Sequence, residues 1–183
     1  MLGLGHSLTQ ASTPMGPRSP FSFEKAVLEE SDGFFATSII GEVTFAYNQT
    51  APDSSTGWMK VSFDSTQTDY WSISNGTILD GRGEVGATAV IEYDIYLESA
   101  ALWGDDSAND DDVIRWTTQL GSRASSTDVD AETATSISHT LLNNPSDSDT
   151  LIFRNGLITE VYDFPLAGAE LYIKNLSIDI TYS

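Results

Sequence analysis

A chain of 183 residues, 40% of them hydrophobic, can bury a real core and suits one folded domain plus an extension. Eight Lys and Arg against 27 Asp and Glu leave a net charge of -19, which argues against nucleic acid or an anionic membrane as partner. With no Cys, disulfides, zinc–cysteine sites, iron–sulfur clusters and thiol nucleophiles are excluded.

The acidity fits solubility, a basic or cation-rich partner, or adaptation to high salt. The opening, Met1 to His6, lacks a basic region and a long apolar run, so no export signal is expected, and no stretch is long and apolar enough to span a bilayer. Sequons at Asn48, Asn75 and Asn175 read as chance in a chain rich in Asn, Ser and Thr.

Residues 1–33 form the first predicted unit. Pro14, Gly16, Pro17 and Pro20 make it extended or irregular, and Glu24 to Glu30 fits either a helical turn or a short strand. Leu2, Leu4, Leu8, Phe21 and Phe23 are too apolar for a plain linker. They predict an assembly arm that lies on a neighbouring surface, with Arg18 and Lys25 facing acidic patches there.

Residues 34–183 read as strands. Phe35, Ile39, Val43, Phe45 and Tyr47 share a phase, then Met59, Val61 and Phe63, then Trp71 and Ile73 before Asn75-Gly76. The clearest element runs from Thr88 to Leu97. Ala89, Ile91, Tyr93, Ile95 and Leu97 hold one phase, and Thr88, Glu92, Asp94 and Tyr96 the other, with Val90 alone breaking it. Successive strand side chains point to opposite faces, so this is a half-buried antiparallel strand. Ile114, Trp116 and Leu120 follow, then Ile137 and Leu141, then Leu151 and Phe153 before the hairpin signal Asn155-Gly156, then Val161 and Phe164. In the last strand the apolar phase flips between Leu171/Ile173 and Leu176/Ile178/Ile180, as at a β-bulge near Lys174-Asn175. Eight or nine strands predict an all-β, antiparallel two-sheet sandwich of jelly-roll type.

Chemistry-bearing residues are sparse. His139 shares a phase with Ile137 and Leu141 and reads as core, as do Trp71 and Trp116. His6 has no acidic or nucleophilic neighbour, and no serine sits in a Gly-x-Ser-x-Gly elbow. No catalytic activity and no cofactor are therefore expected. The acidic run Gly104 to Asp112 could offer oxygen ligands to a hard cation but lacks EF-hand spacing, so it reads as a solvated loop. Trp58, Tyr70, Tyr96 and Trp103 fall outside the apolar phases. They predict an exposed aromatic platform for a glycan or a protein.

The closing segment Leu171 to Ile178 resembles the last strand of jelly-roll modules related to carbohydrate-binding and galactose-binding-like domains. Gly86 to Glu98, with its Tyr-Asp-Ile-Tyr-Leu, resembles their central strand. That group often carries an acidic residue near a structural calcium where Lys174 stands here, so the resemblance does not extend to the ion. The opening Leu2-Gly3-Leu4-Gly5-His6-Ser7-Leu8-Thr9 looks like the N-termini of small structural proteins of tailed bacteriophages. This second resemblance implies a virion protein assembled in the host cytoplasm: a cement or decoration protein on the major capsid or another virion protein, and a homo-oligomer such as a trimer. The alternative is a glycan-binding, lectin-like module or a host-recognition fibre domain.

Overall fold

The computed structural model describes residues 20–37, 39–67, 71–76, 78, 87–103, 113–121, 123–142, 150–155 and 165–182. Among them are eleven strands: β1 (Phe21–Lys25), β2 (Phe34–Thr37), β3 (Val43–Gln49), β4 (Trp58–Phe63), β5 (Ser72–Asn75), β6 (Ala87–Leu97), β7 (Val113–Leu120), β8 (Arg123–Asp130), β9 (Thr135–Leu142), β10 (Leu151–Asn155) and β11 (Glu170–Tyr182). Among the described residues helix is confined to single 3-10 turns at Glu30–Asp32 and Ala100–Leu102. No helix among the described residues is long and apolar enough to cross a membrane.

The strands form two antiparallel sheets. The larger has the order β3-β4-β11-β6-β9, with β1 also paired to β11, and the smaller has the order β2-β5-β10-β7-β8. The all-β sandwich predicted from the alternation is thus present. In three strands the inner face is the predicted apolar phase: Ala89, Ile91, Tyr93, Ile95 and Leu97 of β6, Leu171, Ile173, Leu176, Ile178 and Ile180 of β11, and Ile114, Trp116 and Leu120 of β7. On β2 the inward residue is instead Phe34, and Phe35 is exposed. Trp71, Trp103, Trp116 and Phe63 meet at centroid distances of 4.9 to 6.3 Å, mostly edge-on or tilted, the arrangement that ring quadrupoles favour. The Trp116 indole N–H donates to the Tyr93 hydroxyl at 2.9 Å, which leaves the phenol proton for Thr118 Oγ1 at 2.6 Å. Burial raises the Tyr93 phenol far above its ordinary value.

The bulge expected near Lys174-Asn175 is there. Register against β6 shifts between Lys174 and Ser177, and Asn175 takes φ 53°, a left-handed conformation that Asn tolerates better than most residues. The bulge has an architectural use. Residues 170–173 of β11 pair with β4 on one edge, and residues 176–180 pair with β1. Between them, Asn175 donates its backbone N–H to the Ala26 carbonyl at 3.0 Å.

This pairing corrects the extent of the predicted arm. Phe21 and Phe23 are not free assembly contacts: they stand opposite Ile180 and Ile178 in the sheet and pack against the core. Leu28 just beyond is fully buried. The five-residue strand was hidden in the sequence because prolines precede it and only two apolar positions mark its phase. Leu2, Leu4, Leu8 and Arg18 lie outside the described residues.

Candidate functional site

The outer face of the larger sheet divides at the β11 bulge. On the β4 side stands an aromatic corner of Trp58, Tyr96 and Tyr172, with ring centroids 5.8 to 6.5 Å apart. The alternation correctly sets these side chains opposite the core, but they are not an exposed platform. Trp58 is 0% and Tyr96 3% exposed. Three things roof them: Ala51 packs into the cluster, Ser55 Oγ accepts the Trp58 indole N–H at 2.8 Å, and Lys174 Nζ sits 4.1 Å from the Trp58 ring centroid. Trp103 departs further from the expectation. The 3-10 turn, with the Trp103 N–H donated to the Ala100 carbonyl at 3.0 Å, swings its ring into the main core, where it too is 0% exposed. Tyr70, the fourth member of the expected platform, lies outside the described residues, as do the acidic run 104–112 and the turn after Asn155.

The corner carries a charged rim. Burial works to raise the Glu170 carboxyl, but bonds from Lys60 (2.9 Å), Tyr172 (2.8 Å) and Ser62 (3.1 Å) outweigh it and hold the group below its ordinary value. Glu98 goes the other way, raised by burial and then by the neighbouring Glu170. These groups satisfy one another, which suits a corner that closes the sheet rather than one that receives a ligand.

On the other side of the bulge the face is open. A groove of about 410 Å³ lies over β1, β11, β6 and β9. Glu92 and Asp94 project from alternate positions of β6. Ser138 donates to Glu92 at 2.8 Å and Ser136 to Asp94 at 2.6 Å, while Asn175 Nδ2 donates to Asp94 at 2.6 Å. Glu24 and Ser177, opposite each other in register, complete the wall. Lys25 borders the groove, but its ammonium is held by Asp32 at 2.6 Å and Glu29 at 2.9 Å. The sheet thus presents carboxylate oxygens, hydroxyls and an amide on a rigid floor. The polar phase of residues 88–97 carried this signal, since two carboxylates two residues apart on a strand share one face. Asn175, Ser136 and Ser138 became visible only with the pairing.

The middle of the outer face of the smaller sheet, over β5, β10 and Thr117 of β7, is also polar but closed, while Phe35 on β2 and the Arg115–Asp128 pair at the β7–β8 edge remain exposed. Thr37 and Ser72 hydroxyls meet at 2.6 Å, Ser72 and Ser74 at 3.0 Å, and Thr117 and Ser126 at 2.7 Å. Ser72, Ser74, Thr117 and Arg154 are each 3% exposed or less. His139, Trp71 and Trp116 all lie in the core, as their phase predicts. His139 Nε2 pairs with Thr127 Oγ1 at 2.9 Å. No group of three or more His, Cys, Asp or Glu among the described residues is arranged to hold a metal ion.

No protein-family profile and no curated protein matches the sequence. Solved structures do resemble the fold. The xylan-binding module of xylanase 10C from Paenibacillus barcinonensis superposes with a TM-score of 0.55 at 10% identity, over 89% of this chain and 94% of that one. The N-terminal part of endo-1,4-beta-D-xylanase 10B from Clostridium thermocellum, a binding module joined to a catalytic module and complexed with xylohexaose, gives 0.52 at 14% identity. There the match covers 85% of this chain but only 28% of the larger protein. A further xylan-binding domain gives 0.50 at 13% identity, over 85% and 92% of the two chains. At such identities the likeness shows the fold alone, a two-sheet β-sandwich.

Proposed function

We propose that this chain is a non-catalytic glycan-binding module and that the glycan lies in the groove over Glu92 and Asp94. The observation that carries the reading is that open, pre-organised row of acceptors and hydroxyls on a rigid sheet. A volume of about 410 Å³ falls in the ordinary range for a small-ligand site, roughly 300–1,000 Å³. Sugar hydroxyls are donors and acceptors in close succession. Glu92 and Asp94 accept from them, and the serines and Asn175 hold the carboxylates in place with side-chain bonds that need no reordering. The fold likeness to modules whose partner is xylan makes a neutral β-linked pentose or hexose polymer the first ligand to try. It supports the glycan alternative better than a capsid-cement role.

The test is calorimetric titration with xylohexaose, alongside pull-down on insoluble xylan and a glycan array. The expected outcome is binding that weakens about a hundredfold or more when Glu92→Gln and Asp94→Asn are combined, since each substitution removes a charge-assisted hydrogen bond worth ~1.5–3 kcal/mol. Array-wide silence would refute the reading. Binding that survives the double variant but vanishes in Arg154→Ala would move the site to the smaller sheet.

A further inference from the structure

The groove wall β9 is an edge strand: it pairs with β6 and has no second partner among the described strands of its sheet. Its other neighbour is β8, which belongs to the smaller sheet and packs against it across the seam between the sheets. A side-chain bond crosses that seam, from His139 Nε2 on β9 to Thr127 Oγ1 on β8 at 2.9 Å. The imidazole is buried, and its Nδ1 has no hydrogen-bond partner among the described residues. The residues on either side of His139, Ser138 and Thr140, point outward, and Ser138 holds Glu92.

We propose that the His139–Thr127 contact is an acid-sensitive latch: protonation of the imidazole loosens β9 from β8 and slackens the groove wall. This rests on the groove reading only for its consequence, since the seam itself is independent of any ligand. The charged form would make both ring nitrogens donors, and Nδ1 faces no acceptor. Among the described residues, the elements packed against it offer no counter-charge. On β6 the register partner is Ile91, with Tyr93 the titratable group on the same inner face, while Glu92 and Asp94 point out. On β8, Thr127 lies in register with inward-facing Trp116, and the adjacent Asp128 points out to Arg115. On β9 the inward neighbours are Ile137 and Leu141. Burial accordingly lowers His139 below its ordinary value of 6.5. The sign follows. The unfolded chain binds the proton more readily, so the contribution is fully present above pH 6.5 and is lost as pH falls from there toward the folded-state value.

The experiment compares amide-exchange protection factors at pH 7.5 and 5.5, each corrected for intrinsic exchange, in the wild type and His139→Gln. Expected is a selective fall, several-fold or more, in β8 and β9 relative to the β4–β11 pair, present in the wild type and absent in the variant. Equal falls in both strand pairs, or a fall that persists in His139→Gln, would overturn the latch. Should the variant not fold, the His139 ring resonances of the wild type decide. Their titration midpoint must coincide with the loss of β8–β9 protection, and separate midpoints reject the latch. Xylohexaose affinity measured at the same two pH values separates the two ideas: a seam that opens in a protein that never binds sugar sustains the latch and sinks the groove reading.

Discussion

The two outer faces of the sandwich start from the same sequence device, an apolar–polar alternation, and end differently. The polar phase of β6 stands over an open groove. The polar phase of β5, with Thr117 of β7 beside it, is buried almost completely, Ser72, Ser74 and Thr117 being 3% exposed or less, while Arg115 further along β7 stays exposed. The difference lies in what the polar groups are. Hydroxyls can satisfy one another side by side, as Thr37, Ser72 and Ser74 do, and can then be buried at little cost. Carboxylates need water or strong donors, so Glu92 and Asp94 remain where solvent or a ligand reaches them. A polar phase therefore says which way a side chain points, not whether it is exposed.

The aromatic corner is the sharpest test of that lesson, because there the outer face of the larger sheet is closed. Trp58→Ala should cost about 3–5 kcal/mol in denaturant unfolding, the range for a fully buried large aromatic. If Trp58 were a sugar platform, the same substitution would leave stability nearly unchanged and abolish glycan binding. On the closed face of the smaller sheet, Arg154→Ala should cost about 2–4 kcal/mol through lost packing of its stem and stranded partners. A change under about 0.5 kcal/mol would place Arg154 among ordinary surface residues and undo the contrast between the two faces. Glu92→Gln, on the open face, should move the melting temperature little, because its one side-chain partner among the described residues is the exposed Ser138. Its effect should fall on glycan affinity, and a large stability loss instead would make the groove a structural seam.

How far the sequence carries depends on how much apolar signal each element holds. β6 and the β11 bulge are legible because their inward residues are large and regularly spaced. β8, with Arg-Ala-Ser-Ser-Thr-Asp-Val-Asp, escapes notice since Val129 is its only buried apolar residue. β1 is short and marked only by Phe21 and Phe23. The groove is half legible. Glu92 and Asp94 follow from periodicity, while Ser136, Ser138 and Asn175 reach them from 42 to 81 residues away by pairing that no local pattern encodes. Trp58 and Tyr96 are assigned to the correct face and the wrong exposure, because their cover comes from the Ala51–Ser55 loop and from Lys174.

The smallest effect concerns that cover. Lys174 stands on the bulge between the closed corner and the open groove, its ammonium over the Trp58 ring. Nearby Asp53 is held below its ordinary value by the hydroxyl and backbone N–H of Ser55, with the Lys174 charge a lesser contribution. Replacing it with Met keeps an unbranched stem over the indole and removes only the charge. The cation–π contribution at such a site is about 0.5–1 kcal/mol, so the melting temperature should fall by roughly 1–4 °C in a chain of this size. The drop should shrink at high salt, where the remaining Coulomb part is screened. Xylohexaose affinity should stay within about twofold, because Lys174 faces the corner and the groove acceptors keep their own partners. An unchanged melting temperature with a large loss of affinity would reverse the assignment. It would make Lys174 a groove residue, and the division of the larger sheet at its bulge would no longer hold.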